Sequence, residues 1–286
     1  MERLAVSFPR LSLFLSAALL AGLAPPAQAQ AASPDPDAPR PIDGLDTVFI
    51  EELTWMEVRD ALRAGKTTAI IATGGVEQNG PYLVTGKHNV ILRATTEAVA
   101  RKLGNALVAP IVPFVPEGEI DPPSGHMLYP GTISVREETF RALLTDMARS
   151  LKAHGFDHVI LLGDSGGNQE GMEAVAEALE QEWEGSGCAI HFIPEYYDNP
   201  RWGSWLAERG VKEVDEGLHD DVRHSAIMLL VDPATVRMAQ RREKGLFSIN
   251  SVPLDPLEGT LGLARALVDY QAEVTVEAIE RAIAAR

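Results

Sequence analysis

Four stretches of the chain concentrate residue types that bind metals, move protons or attack carbonyls. The first is GGVEQNGPYLVTGKHN, residues 74–89, where Glu77 and His88 share one Gly- and Pro-rich segment. A carboxylate and an imidazole from one loop are ordinary ligands for a divalent transition metal. The same residues fit a solvated loop acid and a helix cap, because His88-Asn89 falls where a helix begins. The second is LLGDSGGNQ, residues 161–169, in which a strand runs into Asp164, Ser165 and two glycines. Glycines there let backbone N–H groups approach a ligand at the positive end of a helix, although Asp164 or Ser165 could equally cap an ordinary turn. The third, EGLHDDVRHS, places His219, Asp220, Asp221 and His224 within six positions, which suits a metal site or a proton relay and equally a solvated polar turn. Histidines at i and i+5 do not share a helical face, so this segment is expected to be a loop. In the fourth, PPSGHMLYPGTIS, His126 and Tyr129 stand in a rigid turn where they could touch a substrate or simply pack.

The run GDSGG also surrounds the nucleophile of chymotrypsin-like serine proteases. That reading requires an all-β double barrel with His and Asp upstream, and this chain alternates strands with helices. Ser165 could act as a nucleophile on another fold, but it lacks a GxSxG elbow.

These segments need a scaffold. Apolar, β-branched runs at Thr67–Thr73, Ala106–Val115, His158–Leu162 and Cys188–Ile193 predict strands, the second interrupted by Pro110 and Pro113. Helical spacing predicts helices over Asn89–Leu103, Phe140–Leu151, Met172–Trp183 and Leu261–Ala285. Strand and helix in alternation imply an α/β fold, a mostly parallel sheet flanked by helices on both faces. Ligands bind such sheets outside the carboxyl ends of the strands, where the first two candidate segments lie.

In this order the segments resemble the creatininase (creatinine amidohydrolase) family, with its Glu-Gln-His-Gly-Pro-His loop, Pro-Gly-Thr-Ile-Ser segment, Asn-Gly-His-Gly-Gly-Asn turn and late His-Ala-Gly-Glu-x-Glu-Thr-Ser stretch. The matching runs here are Glu77–Tyr82, Tyr129–Ser134, Gly163–Asn168 and His219–Ala226. The resemblance implies a three-layer α/β sandwich, a homo-oligomer (a hexamer in many members) and hydrolysis of a small cyclic or linear amide at a two-metal site. Position by position, Glu77 matches a metal-binding Glu and His219 a proton-transfer His. Asn79 and Ser165 stand where ligand histidines are expected, His88 where a bridging Asp is, and His224 where the last Glu is. The expected site is therefore rewired. Glu77, His88, Asp164 and His224 would hold a divalent metal, Zn or Mn, as one ion or two. His219 and Asp221 would manage protons, and Asn168 with the Gly166-Gly167 amides would hold the oxyanion. Ser165 remains a candidate nucleophile. Tyr82, His126 and Tyr129, with Tyr196, Tyr197 and Trp202, are candidates for the substrate pocket. The competing expectation is a fold that has lost its metal and binds a small polar ligand.

The remaining sequence sets compartment and partners. Arg3 and Arg10, the apolar run Leu11–Ala24 and Ala27-Gln28-Ala29 read as a signal peptide over residues 1–29. The apolar run is shorter than the ~20 residues a membrane span needs, so no membrane attachment is expected after cleavage, and the mature chain is expected to be periplasmic or secreted. Residues 30–41, rich in Ala, Pro and Asp, read as a disordered linker, and residues 42–286 as one hydrolase domain. A net charge of −16 argues against nucleic acid and anionic membranes as partners and leaves a small-molecule substrate. The single cysteine, Cys188, excludes an intramolecular disulfide and reads as a buried structural thiol.

Overall fold

The computed structural model describes residues 35–285. The expected signal peptide, and the linker as far as residue 34, lie outside the described residues. The chain divides into Met1–Pro39 and Arg40–Arg286. All that follows concerns the second unit.

Four parallel strands form the sheet: β1 (Thr68–Thr73), β2 (Ala106–Val108), β3 (His158–Gly163) and β4 (Ala189–Phe192), in the order β2-β1-β3-β4. All six residues of β1 are buried, as a continuous apolar run in a parallel sheet covered on both faces requires. On one face Ile70, Ala72, Ile160 and Leu162 pack against Leu92 and Val99 of α2 (Lys87–Leu103) and Ala272, Val276 and Ile279 of α8 (Leu257–Ala284). On the other, Ile71, Val159 and Leu161 meet Phe140 and Leu144 of α3 (Glu137–Ala153) and Met172, Val175 and Leu179 of α4 (Gln169–Glu182). Each Val, Leu, Ile, Phe or Met among them contributes roughly 1.5–3 kcal/mol of burial. The result is the three-layer α/β sandwich expected. Cys188 is buried at 6 % exposure against the α3/α4 face.

The remaining helices are α1 (Trp55–Arg63), α5 (Asn199–Glu208), α6 (Val222–Val231) and α7 (Met238–Glu243), with a two-residue antiparallel hairpin of β5 (Ser248–Ile249) and β6 (Val252–Pro253). A capping box starts α1: Thr54 Oγ1 accepts from Glu57 N–H, and Glu57 Oε2 accepts from Thr54 N–H. α5, α6 and the hairpin share a further core in which Trp205, Leu206, Ile227, Leu229 and Ile249 meet Leu267 of α8.

Two expectations are corrected. The strand expected over Ala106–Val115 stops at Val108, with single bridges continuing at Val112 and Val115. Pro110 and Pro113 have no N–H to donate, so the ladder cannot run on. The segment expected to be a loop around His224 is a turn only as far as Asp221. There Asp221 Oδ1 accepts the His224 N–H at 2.7 Å and starts α6.

Among the described residues, no helix is long and apolar enough to cross a membrane.

The β1–β3 register decides where chemistry can happen. Thr73 pairs with Gly163, so the chain leaves both strands at the same level. β1 leads to β2 on one side, while β3 lies on the other. This is the switch point where parallel sheets open a crevice. Asp164 N–H donates back to Thr73 O at 3.1 Å, clamping the two exits together.

Candidate active site

A cavity of about 690 Å³ opens at this switch point, lined by residues from all four candidate segments: Glu77 and His88, His126, Asp164 and Ser165, and His219 to Asp221 with His224. That size suits a small molecule. Glu117 and Lys87, which the sequence reading did not single out, also line it.

A buried chain of polar groups runs through its floor. His88, on the first turn of α2, places Nε2 2.7 Å from Glu77 Oε1 and Nδ1 2.9 Å from Asp164 Oδ2. Burial opposes charge on this ring, but the hydrogen bonds to Asp164 and Glu77 prevail and raise its pKa. An ionised carboxylate can only accept, so His88 gives one N–H to Glu77 and one to Asp164. Arg223 Nη2, on α6, donates to Asp164 Oδ1 at 2.8 Å and to Gln271 Oε1 at 3.3 Å. Burial would raise the Asp164 pKa, yet Arg223 and His88 hold it well below the usual carboxylate range. Lys87 Nζ sits 3.5 Å from Glu77 Oε1 and donates to His219 O at 3.2 Å. Burial likewise works against Glu77, and His88 with Lys87 and His219 brings it down to about 2. Glu117 stands beside Glu77; its own burial and the Glu77 charge push it up to about 9, so it is neutral at pH 7. Gly75 permits this approach, since a Cβ there would collide with Glu117 Oε1.

Above the floor the histidines are less constrained. His126 Nε2 lies 3.2 Å from Glu77 Oε2. His219 Nδ1 lies 3.0 Å from Gln78 O and 3.7 Å from Glu77 Oε1. The two rings are 4.5 Å apart, tilted by 31°. Burial and Lys87 lower the His219 pKa. Asp220 is pushed to about 7 by burial and by Asp221, a value suited to proton exchange near neutrality.

Among the described residues, two groups have metal-ligand composition and closeness: Glu77, His126 and His219, and His88, Asp164 and His224, one possible ligand atom from each residue of a group lying within 4.8 Å of the others. The second contains three of the expected ligands, but its donors are engaged. Both His88 nitrogens face carboxylates, and His224 Nε2 accepts from Arg223 Nη1 at 2.9 Å, because a guanidinium can only donate. Bound ions need free lone pairs, so this group does not fit one. The Glu77 group fits, with Glu77 Oε2 and two imidazoles facing the cavity.

Other expected residues have different surroundings. Asn168 is fully buried, and its Nδ2 donates to Gly74 O at 2.8 Å and Thr73 Oγ1 at 3.1 Å. Its donor ties β1 to the glycine turn and is not offered to an oxyanion. Ser165 lines the cavity, but among the described residues no imidazole hydrogen-bonds to its hydroxyl. Asp221 caps α6 and approaches His224 Nδ1 at 2.7 Å, off the axis of a hydrogen bond. Tyr82 and Tyr129 are not among the lining residues: Arg241 covers the Tyr82 ring at 4.3 Å, and Tyr129 is 53 % exposed. Tyr197 does line the cavity. Tyr196 and Trp202 belong to the core, Tyr196 bonded to Thr95 and Trp202 edge-on to Tyr270.

The family model of creatininase, creatinine amidohydrolase, matches residues 51–262. The chain belongs to the creatininase family. The creatinine amidohydrolase of Pseudomonas putida is 27 % identical over 134 residues, 47 % of this chain and 50 % of that protein. The mycofactocin precursor peptide peptidase of Mycolicibacterium smegmatis is 27 % identical over 131 residues, 44 % of this chain and 50 % of that protein. The chain thus spans about half the length of the curated relatives it matches. A crystal structure of creatinine amidohydrolase superposes with a TM-score of 0.59 at 22 % identity, covering 84 % of this chain and 97 % of that one. Creatininase structures have been solved in manganese and zinc–zinc forms.

Proposed function

We propose that this chain is an exported hydrolase that cleaves the C–N bond of a small amide or cyclic amide with the help of a divalent metal, Zn or Mn. The observation that supports it is Glu77: a buried carboxylate at the switch point of a creatininase-family fold, faced from the cavity by two imidazoles. When bound, such an ion polarises a carbonyl and lowers the pKa of a water. The chain's own residues do the rest. His88 and Lys87 fix one oxygen of Glu77, leaving the other toward the cavity. Asp220, which lines the same cavity, holds or releases a proton, and Asp221 positions α6. Ser165 and the Gly166-Gly167 backbone also line the cavity and are available to a carbonyl oxygen. The N-terminal pattern supports export to the periplasm, and the family resemblance supports a homo-oligomer, a hexamer in many members.

The test uses tag-free protein starting at Gln30. Its metal content is measured, and amine or ammonia release is followed with a panel of linear and cyclic amides, with and without added Zn²⁺ or Mn²⁺. Metal-dependent release supports the reading, and no turnover of any amide by metal-loaded, folded protein refutes it. A second reading, a metal-free binding protein for a small polar ligand, is favoured by one observation: Lys87 and Arg223 already neutralise Glu77 and Asp164. That reading requires a melting temperature indifferent to both ions.

A further inference from the structure

We propose that the metal centre of this chain is a one-ion site formed by Glu77, His126 and His219 at the cavity wall, and that the buried group of His88, Asp164 and His224 holds no ion. This rests on the reading that the chain binds a divalent metal, and it says where.

Donor spacing comes first. Zinc bonds of ~2.0–2.2 Å in a tetrahedron place neighbouring ligand atoms roughly 3.3–3.5 Å apart. Glu77 Oε2 and His126 Nε2 are already 3.2 Å apart, and one possible ligand atom from each of Glu77, His126 and His219 lies within 4.8 Å of the others. The His219 side chain is 41 % exposed and lines the cavity. The fourth position faces the cavity, as a catalytic zinc requires.

Charge and orientation agree with the spacing. In the buried group Arg223 Nη2 and His88 Nδ1 already occupy the two carboxylate oxygens of Asp164. An ion there would have to displace both donors. At the wall, Lys87 and His88 both take Oε1 of Glu77, which leaves Oε2 as the outward donor. His219 donates Nδ1–H to Gln78 O, so the lone pair is on Nε2. Backbone carbonyls commonly orient metal-bound imidazoles in this way.

The backbone adds an independent sign. His219 has φ 53°, in the left-handed region that a residue with a side chain rarely occupies. Such residues persist where surrounding contacts over-determine them, and they concentrate at functional sites. Here the Lys87 ammonium holds the His219 carbonyl and the Gln78 carbonyl holds its ring.

Calorimetric titration of metal-stripped protein with Zn²⁺, and visible absorption of bound Co²⁺, locate the ion without any assay of turnover. Wild type should bind one equivalent. His126→Ala and His219→Ala should each weaken binding on the order of 100-fold or more, beyond the 10- to 100-fold that losing an outer partner usually brings. His224→Ala should stay within about threefold of wild type, by contrast with that range. Melting of each metal-free variant guards against misfolding, and His126→Gln and His219→Gln provide a second, less disruptive pair. Wild-type affinity in the His126 and His219 variants, or equal loss in His224→Ala, overturns the location while leaving a metal hydrolase intact. No ion in the wild type overturns both. Binding lost as expected, in a protein that hydrolyses no amide, keeps the site and refutes the activity.

Discussion

Arg223 Nη2 and Asp164 Oδ1 meet at 2.8 Å with both side chains sealed from water, at 3 % and 0 % exposure. Each ion depends on the other for its solvation. Asp164→Ala should therefore destabilise the fold by about 3–5 kcal/mol, the usual result of leaving one buried charge unpaired. The double variant Asp164→Leu/Arg223→Met should recover much of that loss. Urea unfolding of the single and double variants checks this, and additive losses would show that the pair is not coupled.

The same carboxylate predicts an acid limb. Arg223 and His88 hold its pKa down in the folded protein, whereas in the unfolded chain it returns to ~3.9. A depressed carboxylate stabilises the fold above its unfolded pKa, and that contribution disappears as pH falls through the folded value. Stability measured by urea titration should show no contribution from Asp164 to its pH dependence down to about pH 4 and should fall steeply below it. Asp164→Asn should be less stable at neutral pH but with a shallower acid limb. Identical slopes in the two proteins would assign the limb to other carboxylates.

Gly80 sits at φ 64°, and a Cβ there would collide with the Leu218 carbonyl, next to His219. Gly80→Ala should cost about 1–3 kcal/mol through strain and should push the two loops apart. Thermal melting reads the first effect, and weakened Zn²⁺ binding the second. A variant that melts and binds like wild type would show that the loops slide freely.

Asn168 Nδ2 serves Gly74 O and Thr73 Oγ1. Removing that donor leaves buried acceptors unsatisfied at about 1–3 kcal/mol. Asn168→Ala should lower the melting temperature as well as turnover, whereas loss of turnover alone would restore a direct role on the oxyanion.

Ser165→Ala separates nucleophile from wall. A serine without a base is not activated, so any amide turnover should survive the change within about tenfold, against the ~10⁴-fold or greater loss that removing a true nucleophile causes.

Much of this was legible beforehand, for physical reasons. β1 and β3 were expected at residues 67–73 and 158–162 and are found at 68–73 and 158–163, because strands buried on both faces must be continuously apolar. α2 and α8 carried a clear helical period and were located to within a few residues at their starts. α6 was not readable as a helix: Val222–Val231 is apolar almost all round, being enclosed by α2 and α8, and so shows no period. Glu77, His88, Asp164 and His224 do converge on one cavity. What sequence could not show was which lone pairs remain free. That depends on Arg223 and Lys87, two cations that the fold buries to 3 % and 2 % exposure. Lys87 beside His88 at a helix start, in a loop with a buried acid, was the signal available.

The first turn of α2 carries Lys87 and His88 and no acid, although the amino end of a helix is its positive pole and disfavours cations. Glu77 and Asp164 offset both the side chains and the pole. The two carboxylates are therefore anchors for a seventeen-residue helix as well as site residues. A lineage that discarded the chemistry would still be obliged to keep them, so in this branch persistence of the acids would record the demands of a helix end, and the fate of His126 and His219 would be the truer register of activity.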